Sequence, residues 1–367
     1  MATDWVEPQT SRKQVRKAGE HLAKTKQGAA GRREPLSVMA NWRSAHAYPM
    51  HALLMFVRQK ALQVDKDATT AQRLKRATSV LLKLERFPTM KLDRMQDIAG
   101  CRVIVRNQSI AKKLRTAIIK SRTKNELHAQ KDYVEEPKPS GYRGYHLIFK
   151  YQGRKREFNG LFVEVQLRTR TQHAWATAVE VVGTFIGKSL KTGEGHVDWD
   201  KFFQMAAAEF SYLEGEIAPS AETREKNRKE LKKLSKSLNV EALLDAFSAS
   251  ANFMKQLSRS TAKNSFYLMR LDTTAGPKES KVEVWTYAQK DIDAANIHYG
   301  ELEENHQNEP RVDVVLVAVD SVNSLHSAYP NYFADTRVFL EILSSAVSPS
   351  KQLLRSVDPQ RNDGAVT

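Results

Sequence analysis

The chain has 367 residues, 41% of them hydrophobic, enough for a sizeable core and for two domains. It contains no apolar run near the roughly 18 residues that cross a bilayer, no N-terminal layout of a signal peptide, and a single cysteine. Membrane-spanning, secreted and disulfide-stapled classes are therefore set aside, and a cytoplasmic protein is expected. The formal net charge of +16 is unevenly placed: residues 1–200 hold 38 Lys and Arg against 19 Asp and Glu, whereas the remainder holds 20 against 23. The basic first half points to anionic partners, either nucleotides or RNA.

Residues 1–35 are polar and rich in Lys and Arg, and they read as a mobile basic arm. From about Leu36 to Val64 apolar residues recur at helical spacing. A further helix is expected from Ala71 to Arg86, stopped by Pro88. Three strand-like runs follow, CRVIV at 101–105, YHLIFKY at 145–151 and LFVEVQL at 161–167. A helix near 109–121 separates the first two, and another near 170–188 follows the third. Helices alternating with strands argue for an α/β sheet domain over residues 36–200. Cys101, inside the first strand run, reads as a small core residue. Residues 201–260 read as a helical connector, with Leu231, Leu234 and Leu238 forming one apolar stripe. Beyond 261 a hairpin (SFYLMRL and KVEVWTY), a helix, the strand RVDVVLVAV and a last helix suggest a second, smaller α/β domain to 346, then a tail over 347–367.

Three segments carry chemistry. In EVQLRT, alternation along a strand puts Val163, Val165 and Leu167 on one face and Glu164, Gln166 and Arg168 on the other. A carboxylate, an amide and a guanidinium in one row suit a site. In MQDIAGCRVIV, Asp97 precedes the strand, Gly100 permits close backbone approach, and Arg102 projects from its beginning. In KDYVEEPKPSGYRGYHLIF, the proline-bounded loop presents Lys138, Tyr142, Arg143 and His146. An aromatic face among basic groups is what a nucleobase with phosphates requires.

DIAGCR, PKPSGYRGYH and EVQLRT, in that order, resemble the signature segments of the RelA/SpoT-type alarmone synthetases. Arg73, Lys75, Ser79 and Lys83 fall on the pattern of the preceding segment. The resemblance covers about residues 70–190. It implies a nucleotidyltransferase-like mixed sheet flanked by helices and transfer of pyrophosphate from ATP to the ribose 3′-hydroxyl of GTP or GDP. By the same resemblance Asp97 and Glu164 would hold Mg²⁺, with Glu164 taking the acceptor's proton. Arg73 and Arg102 would sandwich adenine, and Lys75 and Lys83 would meet the ATP phosphates, supported by Ser79. Tyr142 would stack on the acceptor base, with His146, Lys138 and Arg143 near its phosphates and Gln166 and Arg168 in support. Ser140 and Gly144 depart from the family's usual residues in the acceptor loop. None of the ten histidines is followed by Asp, so the His-Asp metal motif of the hydrolase half is absent and synthesis alone is expected. Two other readings stand beside this one: toxin-like pyrophosphorylation of the tRNA 3′ end, and an inactive RNA-binding or regulatory module. For the second domain the sequence leaves open a regulator, an autoinhibitor and a module that binds a regulatory partner or a second copy.

Overall fold

The α/β architecture is present in a computed structural model, which describes residues 5–25, 31–186, 197–216, 220–244, 265–272, 274, 281–288, 291–306, 309, 312–319 and 336–348. The helices are α1 (Arg12–Lys24), α2 (Arg33–Ala45), α3 (Ala47–Val64), α4 (Ala77–Arg86), α5 (Gln108–Ile119), α6 (Arg170–Ile186), α7 (Val197–Leu213), α8 (Ala221–Ser237), α9 (Ile292–Asn305) and α10 (Arg337–Val347). The strands are β1 (Thr69–Leu74), β2 (Ala99–Val105), β3 (Glu126–Asp132), β4 (Tyr145–Lys150), β5 (Phe162–Thr169), β6 (Ser265–Asp272), β7 (Lys281–Ala288) and β8 (Val312–Val319). They form one mixed sheet in the order β3-β4-β5-β2-β1-β8-β6-β7. The β2–β5 pair is parallel and the others are antiparallel.

The alternation expected for β5 holds. Val163, Val165 and Leu167 are fully buried, beside Cys101 and Val103 on β2 and Leu147 and Phe149 on β4. Leu53 and Val57 of α3 and Leu114 and Ile118 of α5 close this core, each such side chain contributing about 1.5–3 kcal/mol by leaving water. A second core joins α6, α7, α8 and α10 through Trp175, Phe202, Phe203, Leu231 and Phe339.

Two expectations require correction. Residues 12–24 of the supposed mobile arm form α1, started by a capping box between Ser11 and Gln14. Val15 and Leu22 are fully buried in the main core, and Arg16 forms an ion pair with Asp93. The apolar positions 15, 18, 19 and 22 carry a helical stripe that the surrounding charge obscures. The expected helix over 71–86 divides into β1 and α4: Arg73 stands on a strand, Lys75 in the link, and Ser79 and Lys83 on α4. The residues Ala71–Leu74 favour helix locally, but β1 fills the gap between β2 and β8, and pairing on both sides overrides propensity.

Strand β3 has no sequence signal because it is an exposed edge with little apolar alternation. The strands expected beyond 261 form and continue the first sheet. β8 pairs with β1 at Gln72↔Ala318 and Arg73↔Val317, so β1 is not an open edge. On the helical side, Phe266, Leu268 and Val314 pack with Ala295 and Tyr299 of α9.

Candidate active site

Strand register decides which side chains meet. Arg73 pairs with Gly100, and Arg102 with Ala71. Paired residues share a face, so Arg73 and Arg102 lie on one face as diagonal neighbours, about 7–8 Å apart at the backbone. Gly100, across from Arg73, adds no side chain on that face. The pairs Gly100↔Glu164 and Arg102↔Gln166 bring the polar row of β5 to that face. His146↔Gln166 adds β4. Arg73, Arg102, His146, Glu164, Gln166 and Arg168 thus project from the face opposite the α3 and α5 layer.

At one end of this row stands Asp97. Lys83 Nζ donates to both of its oxygens at 2.8 Å, and Lys75 Nζ approaches Oδ2 at 3.2 Å. Ser79, half-buried, lies one turn before Lys83 on the same face of α4.

Further along the row, five side chains close a ring of hydrogen bonds. His146 Nδ1 donates to Glu164 Oε1 at 2.8 Å, and His146 Nε2 meets Tyr142 Oη at 2.6 Å. Arg168 Nη2 donates to Tyr142 Oη and to Gln166 Oε1, each at 3.1 Å. Gln166 Nε2 completes the ring by donating to Glu164 Oε2 at 2.6 Å. Burial alone would raise the Glu164 carboxyl. The hydrogen bond and charge of His146, the Gln166 amide and the Lys83 charge outweigh it and hold the group at about 2. Glu164 is therefore a firmly ionised, oriented oxygen donor.

The loop before β4 is shaped by two glycines. Gly141 has φ +90° and lies so close to α7 that a Cβ would sit 2.9 Å from the Ala207 Cβ. Gly144 has φ +148°, and a Cβ there would press on the Leu167 carbonyl at 3.2 Å. Tyr142 is only 8% exposed, packed near Trp175, with Lys138 Nζ 5.0 Å and the Arg168 guanidinium 5.1 Å from its ring centre. Expected as a stacking platform, it is here a buried ring flanked by cations. Burial lowers the Lys138 pKa against the opposing pull of Glu164.

Arg143 is placed elsewhere. Its Nη1 bonds Glu216 Oε2 at 3.1 Å and the Val134 carbonyl at 3.2 Å, and Glu216 also accepts from Ser211 and Gln172. An expected phosphate ligand is instead a strut between the loop and the chain after α7. Beside it, burial raises the Glu214 carboxyl to about 8, with Thr169 and Thr171 opposing and Glu216 adding.

The sequence reading missed Tyr133, Trp175 and Glu216. Tyr133 lies beneath Lys138, 4.6 Å from its ammonium, and its place beside the loop motif was a usable signal. Glu216 is 73 residues from Arg143, and no local pattern marks it.

A mixed sheet carrying three arginines, two lysines and two carboxylates along one edge and face is suited to binding a polyphosphate nucleotide. Residues 72–182 match the model of the region found in RelA/SpoT proteins. GTP pyrophosphokinase YjbM of Bacillus subtilis (strain 168) is 36% identical over 121 residues, 29% of this chain and 51% of that protein. The chain thus spans about half the length of that curated relative. Among solved structures, small alarmone synthetase 1 from Bacillus subtilis bound to its product pppGpp aligns at 25% identity and TM-score 0.40, over 47% of this chain and 90% of that one. Small alarmone synthetase 2 from the same organism aligns at 22% identity and TM-score 0.41, over 48% and 93%. No helix among the described residues is long and apolar enough to cross a membrane.

Proposed function

We propose that the chain transfers the β,γ-pyrophosphate of ATP to the ribose 3′-hydroxyl of GTP or GDP. The observation that carries this reading is the single sheet face on which strand register gathers Arg73, Arg102, Glu164 and His146, with Lys75, Lys83 and Asp97 at its edge. Arg73 and Arg102 bind the adenine between their planes. Lys75 and Lys83 exchange Asp97 for the donor phosphates, an exchange made easy because these groups are about one-quarter exposed. Arg168 keeps Nη1 buried and without a hydrogen-bond partner among the described residues, a donor left for a substrate oxygen.

The donor set also fits Mg²⁺. Lys83 already places a cation on Asp97, and its charge bears on Glu164. Two carboxylates suffice for an ion that fills its remaining positions with water and phosphate oxygens. Asp97 and Glu164 would hold it, and it would supply charge neutralisation at the transferred phosphates. The protein's own part is positioning and electrostatics. The hydrogen-bonded ring holds both Glu164 oxygens in fixed positions.

The test is incubation of the full chain with γ-labelled ATP and Mg²⁺, offering GDP, GTP, ATP and tRNA separately. Label is expected in GDP or GTP. Label only in tRNA would overturn the acceptor assignment, and label in none of them would overturn the activity.

A further inference from the structure

The start of α4 lacks a cap of its own. Its N-cap residue, Arg76, makes no side-chain capping bond, and the first amides of a helix must find acceptors outside it. The acceptor comes from far along the chain: Glu303 Oε1, on α9, takes the Ala77 N–H at 3.0 Å. The other oxygen, Oε2, meets Arg43 Nη2 at 2.6 Å, with both side chains nearly buried. A carboxylate at that end of a helix also opposes the positive end of its dipole.

Arg43, from the last turn of α2, ties the assembly together. Its Nη1 donates to Tyr299 Oη at 3.0 Å and to the Lys75 carbonyl at 3.3 Å, and its guanidinium lies 5.0 Å from the centre of the Tyr299 ring. Tyr299 and Glu303 are one turn apart on α9, so a single turn of that helix grips the Lys75 carbonyl through Arg43 and the Ala77 amide directly. On the strand side, β8 pairs with β1 at Gln72 and Arg73. Between Arg73 and Lys83 runs the whole donor segment, and it is held from the C-terminal part at both the strand and the helix start.

We propose that Glu303 and Arg43 are positioning residues for the donor nucleotide: together they fix the Lys75–Ala77 link, and with it the approach of Lys75, Ser79 and Lys83 to the ATP phosphates. This rests on the reading of the site given above. Neither residue touches substrate. They act through the path of the link, where a displacement of about 1 Å can cost on the order of 10²-fold in rate.

The experiment uses the full chain and Glu303→Ala, Glu303→Gln and Arg43→Lys. Binding of a non-hydrolysable ATP analogue is measured by calorimetry, and KM for ATP and for the acceptor are determined with the thermal midpoint of each variant. Glu303→Ala should weaken analogue binding and raise KM for ATP by roughly ten-fold, leaving the acceptor KM within about two-fold, the pattern of a lost ground-state interaction on one substrate. Glu303→Gln retains an oxygen for the Ala77 amide and should recover part of the loss, which keeps the test alive if the alanine variant does not fold. A fall in kcat or thermal midpoint with analogue affinity unchanged in both Glu303 variants would make the pair merely structural and overturn the proposal. Absence of analogue binding in the unaltered chain would overturn the functional reading and this inference with it.

Discussion

The proposed donor and acceptor halves of the site are built differently. Lys75, Lys83 and Asp97 are about one-quarter exposed and satisfy one another. The His146 and Glu164 side chains are only 10% and 14% exposed, and Tyr142 is buried beside them. The first group can trade a cation–carboxylate pair for a phosphate with little rearrangement. The second is locked into a closed ring of hydrogen bonds beneath α7, so admitting an acceptor base means moving a packed loop. Donor binding should therefore be a matter of exchanging partners, and acceptor binding a matter of opening.

The largest effect that tests this division lies where the halves meet. Glu164→Gln and Asp97→Asn should each lower kcat by about 10²–10⁴-fold, as loss of an essential carboxylate does. The double variant should be little worse than either alone, because both serve one centre. Pre-steady-state quench measurements would show it, and independent, multiplying losses would mean that the carboxylates act apart.

Next comes a contrast in stability. Arg143→Ala leaves Glu216, with a side chain only 2% exposed, without its cation, and should cost about 3–5 kcal/mol. Lys75→Ala breaks a partly exposed pair and should cost less than about 1 kcal/mol, while weakening ATP binding. Urea midpoints and ATP titrations on the two variants decide the matter, and equal destabilisation would erase the distinction between the halves.

A smaller effect is expected inside the ring. Tyr142→Phe keeps the packed aromatic but removes the oxygen between His146 and Arg168, leaving buried donors unsatisfied at a cost of about 1–3 kcal/mol. The acceptor KM should change several-fold while ATP affinity holds. A change confined to ATP would mean that the two pockets are interchanged.

The last test is a pH slope. The Glu214 carboxyl is raised from 4.5 to about 8 in the folded chain. Between those values the folded state holds a proton that the unfolded state has released, so stability falls as pH rises from about 4.5 towards 8. Glu214→Gln should flatten that part of the stability curve in denaturant titrations across this range. An unchanged slope would assign the pH dependence to other groups.

Much of this site was legible because strand alternation is a local rule. Val163, Val165 and Leu167 against Glu164, Gln166 and Arg168 followed from residue order alone, as did the strands over 101–105 and 145–151. The hidden parts were those decided by distant chain. Ala71–Leu74 looks helical until β2 and β8 flank it. Tyr142 reads as a stacking face until α7 comes within reach of Gly141. Arg143 looks free until Glu216 arrives. The arm over 1–35 misled for another reason: a four-residue apolar stripe, 15, 18, 19 and 22, is faint among so many lysines and arginines.

The pairing Gln72↔Ala318 has a consequence for how the molecule is made. While the chain is being synthesised, β1 can find β2 early, yet its other edge waits for a strand roughly two-thirds of the chain away. Contacts between such distant residues form late, and an unpaired edge invites wrong partners in the interval. The segment that would grasp a nucleotide triphosphate is therefore the last part of the sheet to be sealed, and a nascent chain does not gain its finished donor side until β8 has left the ribosome.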